Sequence, residues 1–136
     1  MGEIADILQA RGEIDEALRI RREEQLPVFD RLGDVREKSV TLHRIATTLL
    51  ESGGLEAGRI QEIYEALAEA FAIARRLGLS DGTAFVGIQL AQVMAMGGLR
   101  DEALTVLDDA EAAFATLGHT EGLAHVGALR ARIAGK

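Results

Sequence analysis

A seven-residue motif, Gly-x-x-Asp-Glu-Ala-Leu, occurs twice in this 136-residue chain and constrains its fold more than any other feature. One copy spans residues 12–18 and the other spans residues 98–104. Glycine favours the C-terminal end of a helix, and acidic residues favour the first turn of the next helix. Each copy therefore predicts a helix end, a short turn and a new helix. Their recurrence predicts a chain built from stacked helix-turn-helix units.

The composition also favours an all-α chain of about seven helices. Hydrophobic residues make up 48% of the sequence but aromatic residues only 4%, and there is a single proline. Alanine occupies the positions where the predicted helices approach each other closely, which suits a helical core of small side chains. We expect residues 1–136 to form one repeat domain without a linker.

Glycines and cap residues predict the helix boundaries. Asp34 is a good N-cap for a helix that runs to about Ser52. A further helix is predicted from about Glu56 to Leu77 and another from about Arg100 to Leu117. We expect Ser80 or Asp81 to cap the helix that ends at residues 97–98, and Thr120 to cap the last helix.

Two irregularities are also predicted. Pro27 lacks the N–H group that would bond the Glu23 carbonyl oxygen, so we expect a bend near residues 23–27. The interval between glycines 53 and 78 is longer than the corresponding intervals elsewhere. This predicts an insertion near residues 54–62, equivalent to about one helical turn.

The small residues and their spacing resemble the tetratricopeptide repeat (TPR) family. The resemblance lies in Ile4-Ala5 with Gly12 and Ala17, in Ile45-Ala46 with Gly53, and in Leu90-Ala91 with Gly98, Ala103 and Ala110. The units are 41 and 45 residues apart, longer than the common repeat of about 34 residues. They are similar to the 40–45-residue variant of kinesin light chains and bacterial multi-repeat proteins.

The resemblance implies a right-handed α-solenoid of about three repeats and a C-terminal capping helix. The repeats would span about residues 3–33, 34–78 and 79–118, and the capping helix about residues 119–134. It also implies a concave groove lined by the first helix of each repeat. Transferring the groove positions of the family gives Asp6, Gln9, His43, Thr47, Leu50, Ile88, Gln92, Ala95, Met96, His125 and Arg132.

Several kinds of chemistry are not expected. His119 and His125 are six residues apart and do not share a helix face, and the glycine pairs lack the Lys-Ser/Thr of a phosphate-binding loop. We therefore predict no catalytic residues, no metal site and no cofactor. The net charge of −7 disfavours nucleic acid and anionic membrane surfaces as partners. The absence of cysteine and of a long apolar segment favours a cytoplasmic protein.

Two functional hypotheses follow from the repeat architecture. In the first, the chain is a protein-interaction scaffold that binds a peptide or a helix of a partner in its groove. In the second, it is a structural segment of a longer array, or a self-associating oligomer, with no separate ligand. The predicted first helix has no cap residue before it, which favours the second hypothesis.

Overall fold

The structure is a computed structural model that describes residues 18–135, apart from the side chains of residues 30–32. The predicted first helix and the groove residues Asp6 and Gln9 lie outside this part of the chain. Between residues 18 and 135 the chain is all-α and has no strand, as predicted. Its helices are a π-helix (Ile20–Gln25), α1 (Leu26–Leu32), α2 (Val35–Glu51), α3 (Ile60–Leu77), α4 (Ser80–Met96), α5 (Arg100–Leu117) and α6 (Thr120–Ala134).

Backbone contacts divide the described part of the chain into two compact units, the first ending at residue 66 and the second beginning at residue 67. The boundary falls within α3. In the first unit, α2 packs against α1 and against the π-helix. In the second unit, α4 packs against α5, and α6 packs against both α5 and α4.

The backbone is distorted where Pro27 predicts a bend. The Leu26 N–H donates to the Arg21 carbonyl oxygen, five residues back, instead of to a carbonyl four residues back. This i→i+5 bond belongs to the π-helix, which α1 continues directly. Proline removes a donor from the regular ladder, and the wider π-turn just before it changes which carbonyls are paired.

The insertion near residues 54–62 forms a hydrogen-bonded loop and not an added helical turn. The helix that follows begins at Ile60, four residues later than predicted. The Gly54 N–H donates to the Leu49 carbonyl oxygen at 2.7 Å, and the Arg59 N–H donates to the Gly54 carbonyl oxygen at 2.8 Å. A Cβ at Gly54 would lie 2.5 Å from the Leu49 carbonyl oxygen, so only glycine fits there.

An ion-pair cluster closes this loop. The Glu62 carboxylate accepts from Arg59 Nη2 at 2.9 Å and lies 3.5 Å from Arg22 Nη2. Partial burial acts to raise the pKa of Glu62, but the hydrogen bond and charge of Arg59, together with Arg22, hold it below its usual value. The cluster therefore favours the ionised carboxylate.

Small side chains let the helices of the second unit approach closely, as predicted. Ala91, Ala103 and Ala110 have no exposed surface. One close approach is at Gly87 on α4, where a Cβ would lie 3.2 Å from the Ala110 Cβ and 3.0 Å from Phe71 Cε1. The local sequence pattern does not indicate that Gly87 is a contact point.

The N-caps agree with the prediction at one helix and differ at two. Asp34 Oδ1 accepts from the Glu37 N–H at 3.1 Å, so Asp34 caps α2 as predicted. Leu79 occupies the N-cap position of α4 and makes no side-chain cap bond, so the prediction of Ser80 or Asp81 is wrong. His119, and not Thr120, caps α6, because His119 Nδ1 accepts from the Gly122 N–H at 2.8 Å.

An aromatic cluster holds His119 in this position. Its ring lies 5.4 Å from the Phe85 ring and 5.3 Å from the Phe114 ring, centroid to centroid. The two phenylalanine rings meet edge to face at 5.1 Å. Gly118 ends α5 just before this cluster with a φ of +66°, a conformation that favours glycine. The turn between α5 and α6 is thus fixed by packing as well as by its glycine.

Candidate binding groove

A cavity of about 500 Å³ opens between the C-terminal halves of α4 and α6. These helices begin the third repeat and the terminal half-repeat of the predicted arrangement, so the cavity lies where first helices of consecutive repeats adjoin. We call this cavity and its lining residues the α4/α6 groove. The lining consists of Gln92, Ala95 and Met96 from α4, Arg100 from α5, and Leu129, Arg132 and Ile133 from α6.

The structure brings five of the predicted groove residues together here. Gln92, Ala95, Met96 and Arg132 line the cavity. His125 adjoins it, because its Nε2 lies 3.5 Å from Gln92 Nε2 across the two helices. These residues come from α4 and α6 and are distant in sequence.

One predicted residue of the same unit does not reach the groove. Ile88 is only 6% exposed and belongs to the core of residues 67–136. The transfer of family positions placed it on the surface, but at this point α4 is buried by neighbouring helices. We therefore remove Ile88 from the candidate site.

Three more predicted residues, His43, Thr47 and Leu50, lie on α2 in the first unit. Their spacing of four and three residues puts them on the same face of that helix. Each is partly exposed. Their role in binding stays a prediction.

The groove has an apolar floor. Leu129 and Ile133 are 4% and 5% exposed, and they lie one helical turn apart on α6. Met96 stands at the rim and is 60% exposed, the largest exposure among the large hydrophobic side chains that the structure describes. A methionine side chain is flexible and adapts to differently shaped apolar partners.

Of the lining residues that the structure describes, the two charged ones are arginines. Arg100 Nη2 donates to the Ile133 carbonyl oxygen at 2.6 Å, which fixes one guanidinium at the end of α6. Arg132 is exposed. Among the described residues, none that lines the cavity is acidic. This local excess of positive charge contrasts with the net charge of −7 of the whole chain.

Another ion-pair cluster holds α6 against α5. Arg130 donates to the Glu111 carboxylate at 3.0 Å and to the Asp108 carboxylate at 2.9 Å. The hydrogen bond to Glu111, helped by the charges of both acids against partial burial, raises the pKa of Arg130. The cluster lies outside the lining and positions the helix that supplies the groove floor.

Sequence reasoning missed three lining residues. Leu129 and Ile133 have the spacing of an inward helix face, and that spacing does not reveal that a cavity lies above them. Arg100 follows a glycine turn, and nothing local indicates that it reaches the end of α6. Only the packing of α5 against α6 brings Arg100 to the groove.

The described residues form neither a metal-ligand cluster nor a membrane-spanning helix. In the part of the chain that the structure describes, no three His, Cys, Asp or Glu residues are grouped so that they could hold a metal ion. None of the helices described between residues 18 and 135 is both long and apolar enough to cross a membrane.

The fold matches solved structures more clearly than the sequence matches known families. No family model matches the chain, and no curated protein matches it significantly. Its structure is similar to the TPR-like repeats of a putative kinesin light chain from Podosopora anserina, with a TM-score of 0.60 and 20% identity over 96% of this chain and 74% of that one. A point variant of that protein matches with a TM-score of 0.60 and 19% identity, over 99% of this chain and 75% of that one. The chain therefore has the fold of TPR-like repeats, as its glycine and alanine pattern predicted.

Proposed function

We propose that this chain is a protein-interaction scaffold that binds a segment of a partner protein in the groove formed by the first helices of its repeats. TPR-like repeats generally mediate contacts between proteins. The observation that carries the proposal is the α4/α6 groove, in which apolar and polar predicted residues line one open cavity. The partner would enter as an extended or a helical segment.

The surface chemistry of the groove supports this proposal. Protein interfaces combine an apolar centre with a polar rim, and arginine and methionine are enriched in them. Here Met96, Leu129 and Ile133 supply the apolar part, and Gln92 and Arg132 supply polar groups beside it. A partner segment would bury Met96, which is exposed in the chain alone.

The proposal extends to what the chain does not do. We infer a non-catalytic protein without a cofactor, located in the cytoplasm, whose partners are proteins and not nucleic acids or membranes. The sequence supports this with its net charge of −7, which repels phosphate groups, and with its lack of cysteine.

Affinity capture with matched variants tests the groove. Met96→Asp combined with Gln92→Ala places a charge and removes an amide in the groove. Leu117→Asp is the matched control, because Leu117 is another exposed apolar residue of the second unit, 43% exposed and outside the groove lining. A partner that binds in the groove is retained by the wild type and by the control, and is lost with the double variant.

Circular dichroism spectra of the variants must match the wild-type spectrum for this result to count. If the double variant retains the same partner with unchanged affinity, binding lies elsewhere and the proposal is wrong. Light scattering tests the alternative function. A species of 14.6 kDa at micromolar concentration indicates a monomer, whereas a larger species would favour a self-associating segment of an array.

A further inference from the structure

We propose that the α4/α6 groove also binds a small organic anion, namely a carboxylate attached to an aliphatic body. This goes beyond the binding of a partner protein and does not depend on it. The anion would lie with its aliphatic body on Leu129 and Ile133 and with its carboxylate at Arg100 and Arg132.

The cavity has the size and lining of a small-molecule site. Its volume of about 500 Å³ lies within the range of about 300–1,000 Å³ that is usual for such sites. The buried side chains of Leu129 and Ile133 form the floor, and the small side chain of Ala95 also lines the cavity. Met96 at the rim could fold over an apolar ligand without a change in the backbone.

The charges of the lining select an anion. Within the described part of the chain, Arg100 and Arg132 are the charged lining residues, and no lining acid opposes them. A guanidinium group has five N–H donors and binds carboxylates with two parallel hydrogen bonds. The bond from Arg100 Nη2 to the Ile133 carbonyl oxygen uses one donor and holds the group in place. The remaining donors of that group are then pre-oriented for a ligand.

The same lining disfavours other anions. A sugar phosphate or a nucleotide would place polar groups on Leu129, Ile133 and Met96, where they would lose water without gaining hydrogen bonds. No aromatic side chain between residues 18 and 135 lines the cavity, so a nucleobase would find no ring there on which to stack. A small ion without an aliphatic body would leave the apolar floor in contact with water. An aliphatic carboxylate would place its chain against the apolar floor and its charge beside the arginines.

The proposal is tested by titrating the purified chain with octanoate. Binding is measured by isothermal titration calorimetry and by changes in the amide NMR shifts. Octanamide controls for the apolar body without the charge, and acetate controls for the charge without the body. We expect saturable binding of octanoate, with the largest shifts in α4 and α6. Octanamide and acetate should each bind at least about tenfold more weakly, since one of the two contributions is missing.

Matched arginine variants locate the anion. Arg132→Gln should weaken octanoate binding about tenfold, the loss expected for a charge-assisted hydrogen bond. Arg76→Gln is the control, because Arg76 is an exposed arginine of the same unit that does not line the cavity. It should bind octanoate like the wild type. Both variants remove one positive charge, so a general effect of net charge would appear in both.

Three results would each overturn the proposal. They are equal binding of octanoate and octanamide, an unchanged affinity in Arg132→Gln, and no saturable binding of octanoate up to about 10 mM. None of these measurements uses a partner protein, so their failure leaves the proposed scaffold function standing. Conversely, if the capture experiment contradicts the scaffold function, the expected affinity for octanoate stays the same.

Discussion

The contact between Gly122 and Phe114 yields the sharpest stability prediction. Gly122 lies in the first turn of α6, and a Cβ there would stand 2.2 Å from Phe114 Cδ1 and 2.3 Å from Phe114 Cε1. Ordinary contacts of a Cβ begin at 3.4 Å. Since Phe114 is 1% exposed, its ring cannot move aside without displacing the core. We therefore expect Gly122→Ala to destabilise the protein although alanine is the better helix former.

The magnitude follows from two opposing effects. Alanine in place of a helical glycine stabilises by about 0.4–1 kcal/mol when it fits. Overpacking of a well-packed core costs about 1–3 kcal/mol, and more when the ring must shift by a full ångström. The clash should exceed the gain, so we expect a net loss of up to about 2.5 kcal/mol in the free energy of unfolding.

The chain offers a control in the same helix. Gly127 also lies in α6, but a Cβ there would have no neighbour within 4 Å. Gly127→Ala should therefore stabilise the protein by about 0.4–1 kcal/mol. Phe114→Leu is a second control, because a smaller side chain leaves room for the Cβ. The double variant Phe114→Leu, Gly122→Ala should be more stable than the sum of the single effects predicts.

The free energies of unfolding of the wild type and of these four variants are measured by urea unfolding monitored by circular dichroism. We expect opposite signs for Gly122→Ala and Gly127→Ala. We also expect a coupling energy of about 1 kcal/mol or more between positions 114 and 122. Equal stabilisation by both alanines, or additive effects at positions 114 and 122, would refute the argument that the Phe114 ring excludes a side chain at position 122.

Three further predictions follow from the fold. His119→Ala should cost about 0.5–2 kcal/mol and speed hydrogen exchange of the capped amide, whereas His119→Asn should retain most of the cap; equal exchange in both would contradict a capping role. Ala103→Leu should lower stability by about 1–3 kcal/mol in urea unfolding because Ala103 has no exposed surface, and Ala131→Leu at an exposed site should change it little. The pKa of Glu62 is lowered from 4.5 on folding, so its contribution is present at neutral pH and is lost as the pH falls below that value. Glu62→Gln should remove this contribution, of less than about 1 kcal/mol, and flatten the acid side of the stability curve; an unchanged pH dependence would show that its pairing with Arg59 has no energetic effect.

Local patterns predicted the regular helices well. The end of α2, the whole of α5 and the Asp34 cap follow from residues within one or two turns, namely glycine after the last turn and an acidic side chain before the first. Helical boundaries of this kind depend on nearby backbone groups. The TPR-like fold followed because alanine recurs at the helix crossings.

The distorted segments were less predictable. Pro27 indicated where a helix departs from ideal geometry, but not that a π-helix would precede it. The insertion near residues 54–62 indicated extra length, but the carbonyl of Leu49 and the ion pairs of Glu62 decided that the extra residues form a loop. Both outcomes depend on which backbone groups find partners after the helices have packed.

The sequence by itself determined that the chain is all-α, where most helices begin and end, and which small residues stand at their crossings. These properties depend on short-range propensity and on the spacing of apolar side chains. Only the tertiary structure decided that Ile88 is buried while Met96 is exposed, that His119 caps α6, and that Arg100 joins Arg132 at one cavity. The physical reason is that burial and charge proximity depend on contacts between helices, which a pattern along one helix does not specify.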